Sequence, residues 1–240
     1  MKYPKGTIKE LTFQSSELGE EMQLLIYLPA SFSPLYKYSL LIAQDGRDYF
    51  QLGRIGRVAD EYLYQGEIEN IIIVGVPYKN VADRRRKYHP DGEQNQAYIR
   101  FLAHELVPFL DQEYPTYHMG STRALIGDSL GATVSLMTAL QYPHTFGKVL
   151  LQSPLVDAQV LEMVENFADS QLVEIYHVIG SLETEVQTTD GMVKDFLSPN
   201  RELSRLISEK QFTYFYEEFI GNHTWTYWQP DLRRALKMLF

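Results

Sequence analysis

Ala124-Leu125-Ile126-Gly127-Asp128-Ser129-Leu130-Gly131-Ala132 is a short apolar run, broken by Gly-Asp-Ser-Leu-Gly, that leads into a helical pattern. It reads as a strand turning sharply into a helix, with a serine at the turn. In a G-x-S-x-G elbow the small residues two before and two after the serine permit that turn, and the hydroxyl stands alone at the edge of the sheet. Gly127 and Gly131 hold those places around Ser129. The N–H of the next residue, Leu130, then lies at a helix N-terminus, where developing negative charge is stabilised. A pattern with three fixed positions recurs by chance, so the flanking chain has to supply the context.

Upstream, residues 8–15 and 21–29 read as two strands joined by the polar turn Glu17-Leu18-Gly19-Glu20, an antiparallel hairpin at a sheet edge. Residues 38–44 and 70–77 are nearly continuous apolar runs, the pattern of strands covered on both faces. A helix is expected over 54–65, and another over 93–113, where apolar residues recur at helical period and Pro108 is expected to kink or interrupt it. Downstream, the elbow helix ends near Tyr142-Pro143. The alternation then continues with a strand at 148–152, a helix at 158–167, a strand at 173–179, a helix at 201–208, a strand at 212–219 and a helix at 225–239. Strands separated by helical stretches imply parallel βαβ units. The expected fold is α/β: a mostly parallel central sheet with an N-terminal antiparallel hairpin and helices on both faces. No repeat, low-complexity stretch or linker divides the chain, so one domain is expected over residues 1–240, without a large lid.

Composition narrows the function. The 240 residues are 45% hydrophobic and 22% charged with a net charge of -9, and the charges are interspersed, so nucleic acid is not an expected partner. The chain has no cysteine, which removes disulfides, thiolate metal sites and cysteine nucleophiles. It shows neither a signal-peptide core near residues 1–10 nor eighteen uninterrupted apolar residues, so a soluble, cytoplasmic protein without membrane contact is expected. No cofactor or metal motif is present: His104-Glu105 lacks the second histidine of an H-E-x-x-H site, because Pro108 stands there.

A serine hydroxyl needs a base within hydrogen-bond reach and a third group to orient that base. In an α/β-hydrolase the chain order is Ser, then Asp or Glu, then His, on loops at the carboxyl ends of strands. Of six histidines, His223 alone lies between the last expected strand and the last helix, in Gly221-Asn222-His223-Thr224-Trp225, and is the candidate base. The other five, His89, His104, His118, His144 and His177, read as structural or surface residues. For the acid, Gly180-Ser181-Leu182-Glu183 follows a strand end, and Glu183 is the first carboxylate able to reach. Glu185 and Asp190 compete on the same loop, and Asp157 follows the preceding strand. A second oxyanion donor is expected after the early central strand, in Gln44-Asp45-Gly46-Arg47-Asp48, where a turn at Gly46 aims the Arg47 N–H at the site.

With these residues assembled, the chain resembles the esterase group of α/β-hydrolases that includes esterase D, enterobactin (enterochelin) esterases, feruloyl esterases and the mycobacterial mycolyltransferases. The resemblance spans nearly the whole chain. It rests on Ala43-Gln44-Asp45-Gly46, on Glu105-Leu106-Val107-Pro108-Phe109, on Gly127 to Gly131, on Gly180-Ser181-Leu182-Glu183, and on Gly221-Asn222-His223-Thr224-Trp225 with Trp228. It implies a serine carboxylic-ester hydrolase with Ser129 as nucleophile, Glu183 as acid, His223 as base, and the Arg47 and Leu130 N–H groups as oxyanion hole. It favours Glu183 over Asp157, since the acid of these relatives follows Gly-x-x. Two features depart from the group: many relatives have Gly-Gly-His-Asp where this chain has Gly221-Asn222-His223-Thr224, and the N-terminal domain of full enterobactin esterases has no counterpart.

The most basic run, residues 81–90, contains Arg84, Arg85 and Arg86 near the same rim of the sheet. These are candidate ligands for an acidic acyl group or an anionic ferric catecholate. Trp225 and Trp228, spaced i, i+3, are expected to pack as core. The expected partner is a small-molecule ester, on the siderophore (ferric catecholate lactone) or the small-acyl side, and nothing in the sequence sets an oligomeric state. The alternatives are an acyltransferase using the same acyl-enzyme and a non-catalytic binding protein of the same fold. Only residues 153–172 and 186–200 are long enough to form part of a lid, so an open site is expected.

Overall fold

The N-terminal polar turn closes a hairpin of β1 (Thr7–Ser15) and β2 (Glu20–Leu28). Along β2 the burial changes from alternating to continuous as the strand leaves the edge and pairs antiparallel with the sheet interior. The apolar runs become β3 (Ser39–Gln44) and β4 (Ile71–Val76), with every residue buried, because both faces are covered. Between them lie α1 (Gly46–Gln51) and α2 (Ile55–Gln65). The chain then forms α3 (Val81–Tyr88), α4 (Asn95–Arg100), a π-helical stretch Phe101–Leu106, and α5 (Val107–Glu113). The elbow joins β5 (Arg123–Asp128) to α6 (Leu130–Gln141). The remainder is β6 (Lys148–Gln152), α7 (Ala158–Asn166), β7 (Glu174–Gly180), the short pair β8 (Val186–Gln187) and β9 (Val193–Lys194), α8 (Leu197–Glu209), β10 (Thr213–Phe219) and α9 (Trp225–Leu239). The structure, a computed structural model, describes residues 3–240.

Eight strands form one sheet in the order β1-β2-β4-β3-β5-β6-β7-β10; the β1–β2 and β2–β4 pairs are antiparallel and the others parallel. One face packs on α3 to α8, around residues such as Leu102, Leu106, Val134 and Leu203. The other packs on α1, α2 and α9 through Tyr49, Val58, Leu232 and Leu236. From β3 the chain steps one way to β4 and returns to β5 on the other side. The loops after β3 and β5 therefore flank the point where strand order reverses, the place where open α/β sheets form ligand crevices. Among the described residues no helix is long and apolar enough to cross a membrane.

Several local expectations change. The helix expected over 93–113 is three consecutive helical segments rather than one kinked helix. Pro108 has no N–H and its ring crowds the carbonyl four residues back, and the wider π-helical turns just before it accommodate both demands. Residues 81–88, read only as a basic run, are helical. Asn80 caps α3 by accepting from the Asp83 N–H at 2.9 Å, and its buried side is an ion pair between Lys87 and Asp83 instead of an apolar stripe. At the Asp45-Gly46 turn the left-handed residue is Asp45 (φ 54°), not Gly46. Gly46 is required for another reason: a Cβ there would lie 2.3 Å from Gly75 Cα in β4.

Candidate active site

Ser129 is held in the turn between β5 and α6 with φ 52° and ψ -123°, a conformation a non-glycine residue adopts only when its surroundings impose it. What imposes it is close packing: a Cβ on Gly127 would fall 2.1 Å from the Gly131 carbonyl carbon, and the Ser129 N–H donates to Gln152 O at 2.9 Å. Leu130 begins α6 and Arg47 is the second residue of α1, so both N–H groups lie in first turns, where amides have no intrahelical acceptor. The Arg47 side chain itself points into a neighbouring groove with Glu21, Lys79 and Lys87.

His223 follows β10, and its Nδ1 lies 2.6 Å from Glu183 Oε2. Glu183 is 1% exposed, and a carboxylate so buried must be fully hydrogen-bonded. Its Oε1 accepts from the Gly180 N–H at 2.8 Å and from Ser153 Oγ at 2.7 Å. Trp228 Nε1 in turn donates to Ser153 Oγ at 3.0 Å. The imidazole is gripped by the Phe196 ring at 4.5 Å and, edge to face, by Trp228 at 4.8 Å. Trp228 is thus a wall of the site as well as core. Two of the competing carboxylates are occupied elsewhere and the third is exposed: Asp157 caps α7 by accepting from the Val160 N–H, Asp190 accepts from Thr188 Oγ1 and pairs with Arg85, and Glu185 faces solvent.

Ser129, Leu130, His223 and Trp228 line one cleft of about 240 Å³, with Asp45, Asp48, Tyr78, Arg84, Arg85, Asp128, Leu155 and residues 186–190. The arginine cluster divides. Arg84 is inside the cleft but already committed, its Nε and Nη2 on the two oxygens of Asp45 at 2.8 and 2.5 Å. Arg85, at the rim, pairs with Asp190 at 3.3 Å. Arg86 does not reach the cleft: it pairs with Asp83 at 2.9 Å and faces a separate hollow near Glu93, because neighbouring positions on α3 point in different directions. Burial, reinforced by the Asp45 carboxylate and opposed by Arg84, pushes the Asp128 carboxyl up to about 8. One guanidinium stands between two carboxylates, and Asp128 Oδ2 stays 4.0 Å from it. Burial and then Asp45 also raise Asp48. Among the described residues no group of three or more His, Asp or Glu could hold a metal ion.

Sequence reasoning left out Asp45, Asp128 and Ser153 as parts of the site. The only signal for Ser153 is its place one residue past β6, beside the elbow strand; the partners of Asp45 and Asp128 come from α3, 39 and 44 positions away.

A family model described as "Putative esterase" matches residues 15–239. The chain is 58% identical over 234 residues, 98% of both chains, to the uncharacterized protein YjcH of Bacillus subtilis. Among solved structures, a ferulic acid esterase superposes with a TM-score of 0.81 at 18% identity, covering 98% of both chains. The enterobactin esterase of Shigella flexneri, solved in the presence of enterobactin, superposes with a TM-score of 0.84 at 18% identity over 98% of this chain; this chain spans 59% of its length.

Proposed function

This chain belongs to the esterase family matched over residues 15–239, and from that premise we propose that it is a serine carboxylic-ester hydrolase working through an acyl-enzyme. The observation that carries the reading is the 2.6 Å contact between His223 Nδ1 and Glu183 Oε2, on a cleft shared with Ser129 in its strained turn. Glu183 fixes the imidazole orientation and leaves Nε2 to take the Ser129 proton. Ser129 Oγ attacks the ester carbonyl, and the oxyanion is received by the Leu130 and Arg47 N–H groups. His223 then protonates the departing alcohol, and water activated by the same imidazole releases the acid.

The substrate we infer is a compact, uncharged ester. At about 240 Å³ the cleft is smaller than the ~300–1,000 Å³ usual for ligand pockets. Among the described residues its two arginines face four aspartates, Asp45, Asp48, Asp128 and Asp190, and Arg84 is bound to Asp45 on both oxygens, which disfavours an anionic ferric catecholate. Hydrolysis of p-nitrophenyl acetate and butyrate tests the reading. Ser129→Ala should lower turnover roughly 10^4-fold or more, and a fluorophosphonate probe should label the parent and not the variant. Parent-level hydrolysis by Ser129→Ala would refute it.

A further inference from the structure

The two proposed backbone donors of the oxyanion pocket come from different loops, and the ladder that pairs β3 with β5 ends at Ala43 and Ile126, short of both turns. The Arg47 N–H follows the Asp45 turn after β3; the Leu130 N–H follows Asp128 and Ser129 after β5. One side chain bonds to both turns. Arg84 reaches in from α3 with 12% of its side chain exposed, forks onto the Asp45 carboxylate, and through Nη2 also donates to the Asp128 main-chain carbonyl at 3.2 Å.

We propose that Arg84 is a positioning residue for the oxyanion pocket: its guanidinium clamps the Asp45 turn to the Asp128 main chain and so sets the spacing of the Arg47 and Leu130 N–H groups. This rests on the serine-esterase reading above. Three further features support the clamp. Asp45 holds a left-handed turn (φ 54°, ψ 39°) of the kind aspartate tolerates, and its own N–H donates to the hydroxyl of Tyr88 on the same helix α3 at 3.3 Å, a second tie from that helix to the turn. The guanidinium lies against the Tyr78 and Tyr88 rings, at 5.8 and 5.6 Å. A Cβ on Gly131 would come within 2.9 Å of Asp45 Oδ2, so the second elbow glycine is also what lets the clamped carboxylate sit against the first turn of α6.

Lysine separates clamp from charge. Arg84→Lys keeps a cation between Asp45 and Asp128, but a single ammonium does not reproduce the planar fork. Active sites are counted by fluorophosphonate titration. We expect kcat per site to fall about tenfold to a hundredfold while KM stays within about threefold. Affinity for a trifluoromethyl ketone, whose adduct places an oxyanion in the pocket, should fall by the same factor as kcat/KM. The charge-balanced double variant Arg84→Met with Asp45→Asn should show the same pattern, which covers the case of a single variant that does not fold. A loss confined to KM would make Arg84 a substrate ligand and overturn the proposal. Fewer titratable sites with unchanged constants per site would make it merely structural and overturn it too. Hydrogen exchange gives a readout independent of turnover: in Arg84→Lys, amides over 45–49 and 128–133 should exchange about tenfold faster, and unchanged exchange there sinks the clamp. If the parent neither hydrolyses esters nor takes the label, the esterase reading fails, and the exchange measurement still decides the role of Arg84.

Discussion

In the proposed reaction the buried Glu183 carboxylate is the group that orients the base. It carries three hydrogen bonds, from His223, Gly180 and Ser153, and each has a separate consequence. Glu183→Gln keeps the volume and loses the charge that holds and stabilises the imidazolium, so kcat for p-nitrophenyl butyrate should fall on the order of 10^3 to 10^4. Ser153→Ala removes one donor from Glu183 and leaves Trp228 Nε1 without its acceptor. The expected result is a loss of roughly tenfold in kcat and about 1–2 kcal/mol in urea unfolding. Parent values in both measurements would make Ser153 a bystander. Ser129, Glu183 and His223 stand out in the sequence because each follows the end of a strand with a glycine nearby. Asp45 and Asp128 sit inside the two quoted turns, but their partner Arg84 lies about forty positions away in the chain, and no local pattern marks Ser153.

At the scale of elements, what is legible depends on what buries each one. β3, β4 and β5 read as strands because burial on both faces demands unbroken apolar runs. α1 is too short to show a period, and α3 buries an ion pair, so its sequence Val-Ala-Asp-Arg-Arg-Arg-Lys-Tyr looks like a solvated stretch. The β8–β9 hairpin is likewise invisible beforehand, with two residues per strand. Its residues 186–190 form one wall of the cleft, and only Val186 of the pair's four strand residues is buried. The Arg85–Asp190 pair that ties it to α3 is half-exposed and contributes about 1 kcal/mol at most. Replacing residues 187–193 by Gly-Gly should raise KM for p-nitrophenyl butyrate several-fold and leave kcat within about threefold, because neither the triad candidates nor the proposed oxyanion donors lie on the hairpin. A kcat loss near 100-fold would place the hairpin inside the catalytic machinery instead.

At the scale of the molecule, the charge crowding at the cleft is a term in folding stability, and its sign follows from which state holds the proton. Asp128 keeps its proton up to about pH 8 in the folded protein, whereas an unfolded aspartate releases it near 4. The folded state therefore binds one more proton between those values, and stability falls as pH rises through that window. His177 acts the other way. Burial pushes it down to about 4, while its unfolded form takes up a proton below about 6.5, so its contribution is complete above 6.5 and is lost as pH falls toward 4. Asp83, whose burial is outweighed by its bonds to Lys87 and Arg86, lies below its ordinary range and loses its contribution only in stronger acid. From about pH 6.5 to 8 Asp128 is therefore the one of these three groups still titrating. The unfolding free energy of the parent should drop there by up to about 2 kcal/mol, at roughly 1.4 kcal/mol per unit. Asp128→Asn, which cannot ionise, should show a clearly shallower profile across that interval than the parent, any residual slope coming from groups such as Asp48 that burial and Asp45 also raise. It should also lose more than the parent between pH 6.5 and 4, where the rise contributed by Asp128 no longer offsets the loss from His177. Urea unfolding followed by circular dichroism at half-unit pH steps reads both slopes, and parallel curves for the two proteins would show that Asp128 is not their source.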